Sequence, residues 1–505
     1  NLFFMSKKRL IIIGGGISGL SAGVYGQLSG FETTILEKHH IVGGQCTGWE
    51  RKGFHIDNCI HWLTGSNPNK CLYKIWERVG ALGPGVEMIK NDSLIRIDGK
   101  DGNHYHVWRD LKKMKEEMLK LAPEDKDVIE EYIDAIDRYR DVEVFGIPIE
   151  QYSLWDYIRL FYKMRRVGKV TKKYSKISIA DFREKFKNPL LRRAVDVCMP
   201  DHFYAEALFY TYGTFVSSDG DIPKGGSRAT ALRMQKRFEE LGGRTRLNTP
   251  VEDIIIDKST HCATAVKLSN GEEIEADFVI AATDVSVTLR KLLGGSVKDN
   301  YFTKRFKDKK NYPIGSHMVI YFGCNCRPEN MPDTVAFEEE PITLCNHQIK
   351  LIVLKHYMYE ESFAPKGKCV MQVMLVQDES DFDFWENLYN NSQEKYKEEK
   401  NRVAEAVRIN VEKHFPELKG QLETVEILTP YSFHKWTGAY KGSYMSFITT
   451  KYIKPEKHHG RVPGIKNIYL AGQWVNPPGG LPNALTSGKF AVQRICKDHK
   501  IKFIK

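Results

Sequence analysis

No stretch of the 505-residue chain holds about 18 consecutive apolar residues, the length at which a helix begins to span a hydrocarbon core. No transmembrane helix is therefore expected. Near the start, the apolar run after Lys7-Lys8-Arg9 is only Leu10 to Ile13, too short for a secretory signal, so none is expected there. Cysteine is sparse. Ten residues, at 46, 59, 71, 198, 262, 324, 326, 345, 369 and 496, show neither the C-x-x-C spacing of zinc and thioredoxin sites nor the density of a disulfide scaffold. The expectation is free thiols in a reducing cytoplasm and no metal centre. Repeats and low-complexity linkers are also absent, which excludes solenoids and flexible arrays.

What is present is a globular composition, 42% hydrophobic and 28% charged, in a chain too long for one simple core. Arg9-Leu10-Ile11-Ile12-Ile13 runs straight into Gly14-Gly15-Gly16-Ile17-Ser18-Gly19, and Glu37 stands 18 residues past the last of these glycines. A strand, glycines at the three G-x-G-x-x-G positions, a helix and a spaced acid make a dinucleotide site. Gly14 permits the turn, Gly16 lets phosphate oxygens approach the backbone, and Gly19 lets the helix pack closely. The helix start, with Ile17 and Ser18, offers free N–H groups to a pyrophosphate. Glu37 ends the strand Thr33-Thr34-Ile35-Leu36 and can accept a ribose 2′-hydroxyl, which disfavours a 2′-phosphate.

The residues that follow resemble one kind of dinucleotide protein. After Glu37 and Lys38 come Gly43-Gly44-Gln45, a second glycine pair that resembles the extended fingerprint of FAD-binding flavoproteins of the glutathione reductase and amine oxidase type. At the far end, Ile468-Tyr469-Leu470-Ala471-Gly472-Gln473 leads to Gly480-Leu481-Pro482 and a helix from about Asn483 to Ile495. This resembles the element that covers the flavin ring and ribityl chain in flavin amine oxidases and phytoene desaturases, with Gln473 in place of the expected acid. Glutamine can still hydrogen-bond, without charge. Asp221 to Ser227, a helix over Ala229 to Leu241, and strands at Val251 to Ile256 and Asp277 to Thr283 follow the same order. The resemblance implies that Val251 offers backbone to the adenine and that Ala282 borders the cofactor. Gly53 to Trp62 resembles the retinol saturase pattern.

Taken whole, the chain is similar to phytoene desaturase, carotenoid isomerase and retinol saturase type flavoproteins. That resemblance implies an α/β fold: a Rossmann-like FAD-binding domain of the glutathione reductase/amine oxidase type with an inserted α+β substrate domain. It implies FAD as cofactor, and an oxidoreductase that saturates, desaturates or isomerises carbon–carbon bonds of an apolar polyene, isoprenoid, retinoid or fatty-acyl-like molecule. Two alternatives share the fold. A flavin amine or amino-acid oxidase lacks a clear carboxylate-binding arginine here, and a non-catalytic binder like the GDP dissociation inhibitors would not need intact flavin motifs. No second G-x-G-x-x-G follows a strand, so electrons pass to or from a nicotinamide in the substrate cleft, another donor, or a membrane acceptor, or the net reaction is redox-neutral.

His61 is the candidate acid and a candidate flavin contact. Free imidazole titrates near pH ~6.5 and exchanges protons near neutrality. Tyr204, Tyr210 and Tyr212 read as core or pocket lining, and Trp436, Tyr440 and Tyr444 as candidate walls for a flat substrate. The cofactor segments are 5–66, 215–290 and 425–505, with 67–214 and 291–424 building the substrate domain and helices over 110–214. The net charge of +11 concentrates between Arg159 and Lys176, where eight basic residues and no acid are interleaved with apolar side chains. Such a stretch can rest on an anionic membrane surface. No nucleic-acid-binding module accompanies it. The expected location is the cytoplasm, with peripheral placement at a membrane.

Overall fold

The computed structural model describes residues 7–143, 146–453 and 456–505; the start of the first cofactor segment, residues 5 and 6, lies outside the described residues. A five-stranded parallel sheet runs in the order Arg244–Arg246, Glu32–Leu36, Arg9–Ile13, Phe278–Ala281, Ile468–Leu470. Its central strand is apolar on both faces because both are covered. Leu10 and Ile12 pack with Leu20, Val24, Leu485 and Val492 from the helices Ile17–Leu28 and Leu481–Asp498. Ile11 and Ile13 pack with Val266 and Leu268 of a three-stranded antiparallel sheet. The two helices touch closely: a Cβ on Gly488 would lie 2.1 Å from the Ser18 carbonyl oxygen.

A seven-stranded mixed sheet forms the second half, in the order Leu422–Leu428, Gly315–Cys324, Cys369–Asp378, His347–His356, Thr334–Leu344, Ser93–Asp98, His104–Trp108. The strand Gly315–Cys324 is buried along its whole length. Period-two alternation sends its side chains to opposite faces. Met318, Ile320 and Phe322 meet Trp385, Val403 and Val407 of two covering helices, while Val319 and Tyr321 meet Phe54, Ile56 and Tyr357 on the cofactor side. The helices expected over 110–214 are present and close on their own core, in which Tyr132, Phe182, Phe209 and Tyr212 are buried.

One expected boundary cuts a strand, and one expected stretch divides in two. A cut at 424/425 would divide the strand Leu422–Leu428, which pairs with Val319 to Cys324, and Phe433 on the following helix packs against Val319 and Tyr321. The strand and the start of the following helix thus pack as one unit with the substrate sheet, across the expected 424/425 boundary. The stretch 159–176 is two helices, Leu154–Met164 and Gly168–Tyr174. Val167, Val170 and Tyr174 turn into the helical core, whereas the first helix has no buried residue and exposes Leu154, Trp155 and Phe161 by 75%, 77% and 80%.

Candidate active site

Gly14 sits at φ +104°, and a Cβ there would approach the Ala282 carbonyl oxygen to 2.9 Å. Gly19 would meet the Gly14 carbonyl oxygen at 1.9 Å, so its missing side chain seats the helix on the turn. Gly16 differs: a Cβ on it would meet nothing nearer than the Gly43 carbonyl oxygen at 3.9 Å. It would instead fill the groove between the two glycine turns, which the Gly43 N–H ties together by donating to the Gly15 carbonyl at 2.9 Å. No side chain caps the helix Ile17–Leu28, leaving its first N–H groups for an anion.

Glu37 is buried, and its two oxygens accept the Gly15 and His39 N–H groups at 2.7 and 2.9 Å. A carboxylate has about four acceptor positions, so ribose hydroxyls can share it. Lys38 is exposed. The Thr249 N–H donates to the Glu37 carbonyl at 2.8 Å, which holds the start of strand Val251–Asp257 beside Glu37, where the adenosine end of a dinucleotide would lie. Trp436 belongs to this end too: His39 stacks on it at 3.9 Å, so the indole does not wall the substrate cleft. Tyr440 is also committed elsewhere, packed on Phe306 and bonded to Glu379.

At the opposite end, the Gln45 amide donates to the Ser443 carbonyl at 2.9 Å, the Ser446 N–H to the Pro478 carbonyl at 2.9 Å, and the Gly472 N–H to Ser487 Oγ at 2.8 Å. Gln473 Oε1 accepts the Gly480 N–H at 3.4 Å. The last helix starts at Leu481, two residues before the sequence reading placed it, with Pro482 in its first turn, where proline costs no hydrogen bond. Around this junction Thr47 Oγ1, Ser443 Oγ, Ser446 Oγ and Asn476 Oδ1 are buried without a partner in the chain. Buried unpaired polar atoms cost about 1–3 kcal/mol each. A flat ring system edged with carbonyl and N–H groups is what these atoms fit, and the two glycine turns behind them fit a pyrophosphate.

Beyond the junction stands a wall that sequence reasoning saw only in part. His317 is buried, with Phe433 at 4.6 Å and Tyr444 at 5.1 Å, and its Nδ1 has no partner. Burial pushes its pKa down to about 4. His61 keeps part of its surface accessible, while burial first, and then the nearby ammonium of Lys355, hold its pKa well below the usual imidazole range. It is neutral at pH 7, which corrects the expectation of proton exchange near pH ~6.5. The buried ammonium of Lys355 donates to the His61 carbonyl at 3.4 Å, and burial lowers its pKa to about 8 against the attraction of Asp57 and Asp333. Lys355 had a signal in the sequence: it is the one charged residue in Leu351-Ile352-Val353-Leu354-Lys355. Tyr204 and Tyr210 are half-buried at the helical core, and Tyr212 lies inside it.

The family described as flavin containing amine oxidoreductase matches residues 17–496. A 4,4'-diapophytoene desaturase (4,4'-diapolycopene-forming) of Methylomonas sp is 22% identical over 99% of this chain and 97% of its own length. A phytoene desaturase (neurosporene-forming) of Rhodobacter capsulatus is 24% identical over 96% of this chain and 94% of its own. Among solved structures, an oxidoreductase from Methanosarcina mazei superposes with a TM-score of 0.62 at 13% identity, covering 96% of this chain and all of that one.

A Gly16→Val chain should fold yet purify with little bound flavin, because the side chain occupies the groove; Gly168→Ala, where nothing lies within 4 Å, should keep it. A full flavin-to-protein absorbance ratio in Gly16→Val would refute the cradle. A second outcome concerns pH. With a pKa of about 4 when folded against 6.5 free, His317 lets the unfolded chain bind the extra proton between these values, so stability falls as pH drops through that window. The loss is about 3 kcal/mol. Melting curves at pH 7 and 4.5 should therefore diverge less in His317→Gln than in the parent, and parallel curves would contradict the assignment.

Proposed function

Because the chain belongs to the flavin containing amine oxidoreductase family, we propose that it is an FAD-dependent oxidoreductase acting on carbon–carbon bonds of an apolar polyene or isoprenoid chain. The observation that carries this reading is the near-complete correspondence, end to end, with desaturases of carotenoid precursors. The wall agrees with it. Val319, Tyr321, Tyr357 and Phe433 form a buried apolar cluster on this side of the substrate sheet, and His61 and His317 are both neutral, a setting that suits an apolar chain.

When bound, FAD supplies the acceptor or donor of hydride. The chain's own groups do the rest. Gly16, Gly43 and Gly44 admit the pyrophosphate, Glu37 takes the ribose, and Ser443, Ser446, Thr47 and Asn476 orient the ring edge. The aromatic wall excludes water and holds the substrate carbon in place. A proton must accompany the hydride in either direction. Lys355, charged at pH 7 with a pKa near 8 and bonded to the His61 carbonyl, is the proton reservoir, with the neutral His61 ring beside it.

The helix Leu154–Met164 carries a second part of the proposal, docking at an anionic membrane from which a lipophilic substrate is drawn. Leu154, Trp155, Tyr157, Ile158, Phe161 and Tyr162 are all exposed, and Arg159, Arg165 and Arg166 lie among them. Among the described residues no helix is long and apolar enough to cross a membrane, so this attachment is peripheral.

Two measurements test these readings. His61→Gln and Lys355→Met should each keep flavin but slow substrate-dependent flavin reoxidation or reduction about 10²- to 10⁴-fold, measured anaerobically against polyenes, retinoids and unsaturated fatty acids; normal rates in flavin-loaded variants would remove both from the chemistry. Co-sedimentation with phosphatidylcholine vesicles containing phosphatidylglycerol should exceed that with phosphatidylcholine alone and fall with salt. Trp155→Ser with Phe161→Ser should weaken it, each ring contributing about 1.5–3 kcal/mol on burial; an unaffected double variant would sink the docking reading.

A further inference from the structure

Behind the helix Leu154–Met164 lies a cavity of about 730 Å³ that shares no residue with the flavin site. It is framed by this helix, the helices Cys71–Arg78 and Leu481–Asp498, and the chain around Gly146. Seven of its fifteen lining residues are basic and three are acidic. Two of the acids are already engaged. Glu143 pairs with Lys163 and accepts the Cys71 N–H, and Asp156 closes the capping box with Ser153. By contrast Lys74, Arg159, Arg237 and Lys489 pair with no Asp or Glu among the described residues, and Arg78 donates to the Lys505 main-chain oxygen.

Lys489 is the telling member. It is only 6% exposed, and its ammonium donates to the Gly146 carbonyl rather than to any carboxylate. Burial and the nearby charge of Lys505 pull its pKa down to about 8. The Tyr25 and Phe503 rings lie 5.6 Å from this ammonium, but rings carry no net charge, and a buried ammonium bonded to no carboxylate is completed best by an anion. The helix supplies the orientation. Asp156, Arg159 and Lys163, spaced three and four apart, point to the cavity, while Leu154, Ile158, Phe161 and Tyr162 form the exposed face. In an amphipathic helix lying in a membrane interface, the polar face sits at headgroup level.

We propose that this cavity receives the phosphodiester headgroup of an anionic phospholipid, whose acyl chains pass beside the exposed face of the helix into the bilayer. The proposal rests on the membrane-docking reading above, and it adds a specific ligand site to it. Guanidinium and ammonium groups converging on one anion make charge-assisted hydrogen bonds that a neutral headgroup cannot share. Anionic lipid is thereby bound as a ligand, over and above the diffuse attraction of a basic surface.

The test uses the flavin-loaded full chain and dihexanoyl phosphatidylglycerol below its micelle concentration, followed by phosphorus-31 line broadening, with dihexanoyl phosphatidylcholine and inorganic phosphate as parallel arms. The parent should bind the glycerol lipid in preference to both. Lys489→Met should lower that affinity about tenfold or more, and Arg237→Gln, at the half-buried rim, provides a second reading if Lys489→Met melts early. No binding by the parent, unchanged binding in both folded variants, or equal binding of inorganic phosphate would overturn the lipid site. Because dissolved lipid requires no bilayer, binding that persists where vesicles fail to sediment the protein would sink the docking reading alone, and vesicle docking without lipid-monomer binding would sink the cavity alone.

Discussion

The carboxylate of Asp57 is the interaction on which both halves of the molecule depend. It accepts the Ser227 N–H at 2.6 Å and the Ser227 hydroxyl at 2.5 Å, at the start of the helix Gly226–Glu240. Ser227 Oγ in turn accepts the Ile60 and Cys59 N–H groups at 2.8 and 3.2 Å. The Asp57 carbonyl receives the Tyr321 hydroxyl at 2.9 Å from the substrate sheet. One residue thus joins the glycine-pair segment, a cofactor-domain helix and the floor of the substrate cleft. Gly226 is a glycine for this reason, since it lies at φ +63° and a Cβ on it would fall 1.8 Å from Asp57 Oδ2.

That anchor also sets the electrostatics of the wall. Burial raises the pKa of Asp57, while the Ser227 bonds and the Lys355 ammonium oppose the rise. In an interior of low polarity, charges survive in balanced pairs or not at all. Asp57 and Lys355 balance each other; His61 and His317, which have no such partner, are neutral. The result is a buried, largely aromatic setting in which Lys355 is the cation and both histidines are neutral. Such a setting suits hydride chemistry on an apolar carbon skeleton better than recognition of a charged substrate.

The helical subdomain has a different logic. Its interior is satisfied by a close aromatic cluster, including Phe182 and Phe209 at 5.3 Å and Tyr174 and Phe209 at 5.0 Å, so packing does not require the apolar residues left outside on Leu154–Met164. Soluble proteins seldom leave so many large apolar side chains together on one helix. Their exposure beside a cationic cavity is the observation on which the docking proposal rests.

The glycine turns and acid proposed to hold FAD were legible in the sequence because they are local. Gly14, Gly16 and Gly19 occupy one turn, Glu37 ends the neighbouring strand, and both the turn and the strand follow from short-range spacing. The wall was not legible in this way. Whether His317 or Met318 faces the cofactor depends on which side of the sheet each covering element chooses, and residues about 170 positions apart, Asp57 and Ser227, decide that together. Lys355 stood out in its strand but acquired a role only through its distance to His61. Trp436 read as cleft lining until the fold stacked it on His39, and Val170 and Tyr174 read as membrane-facing until the helical core drew them in. Sequence determined the cofactor, through the conformations that glycine alone permits and the strand and helix periods around it; tertiary structure alone decided which buried groups share a low-polarity space, and with it which side chains are charged, neutral or exposed.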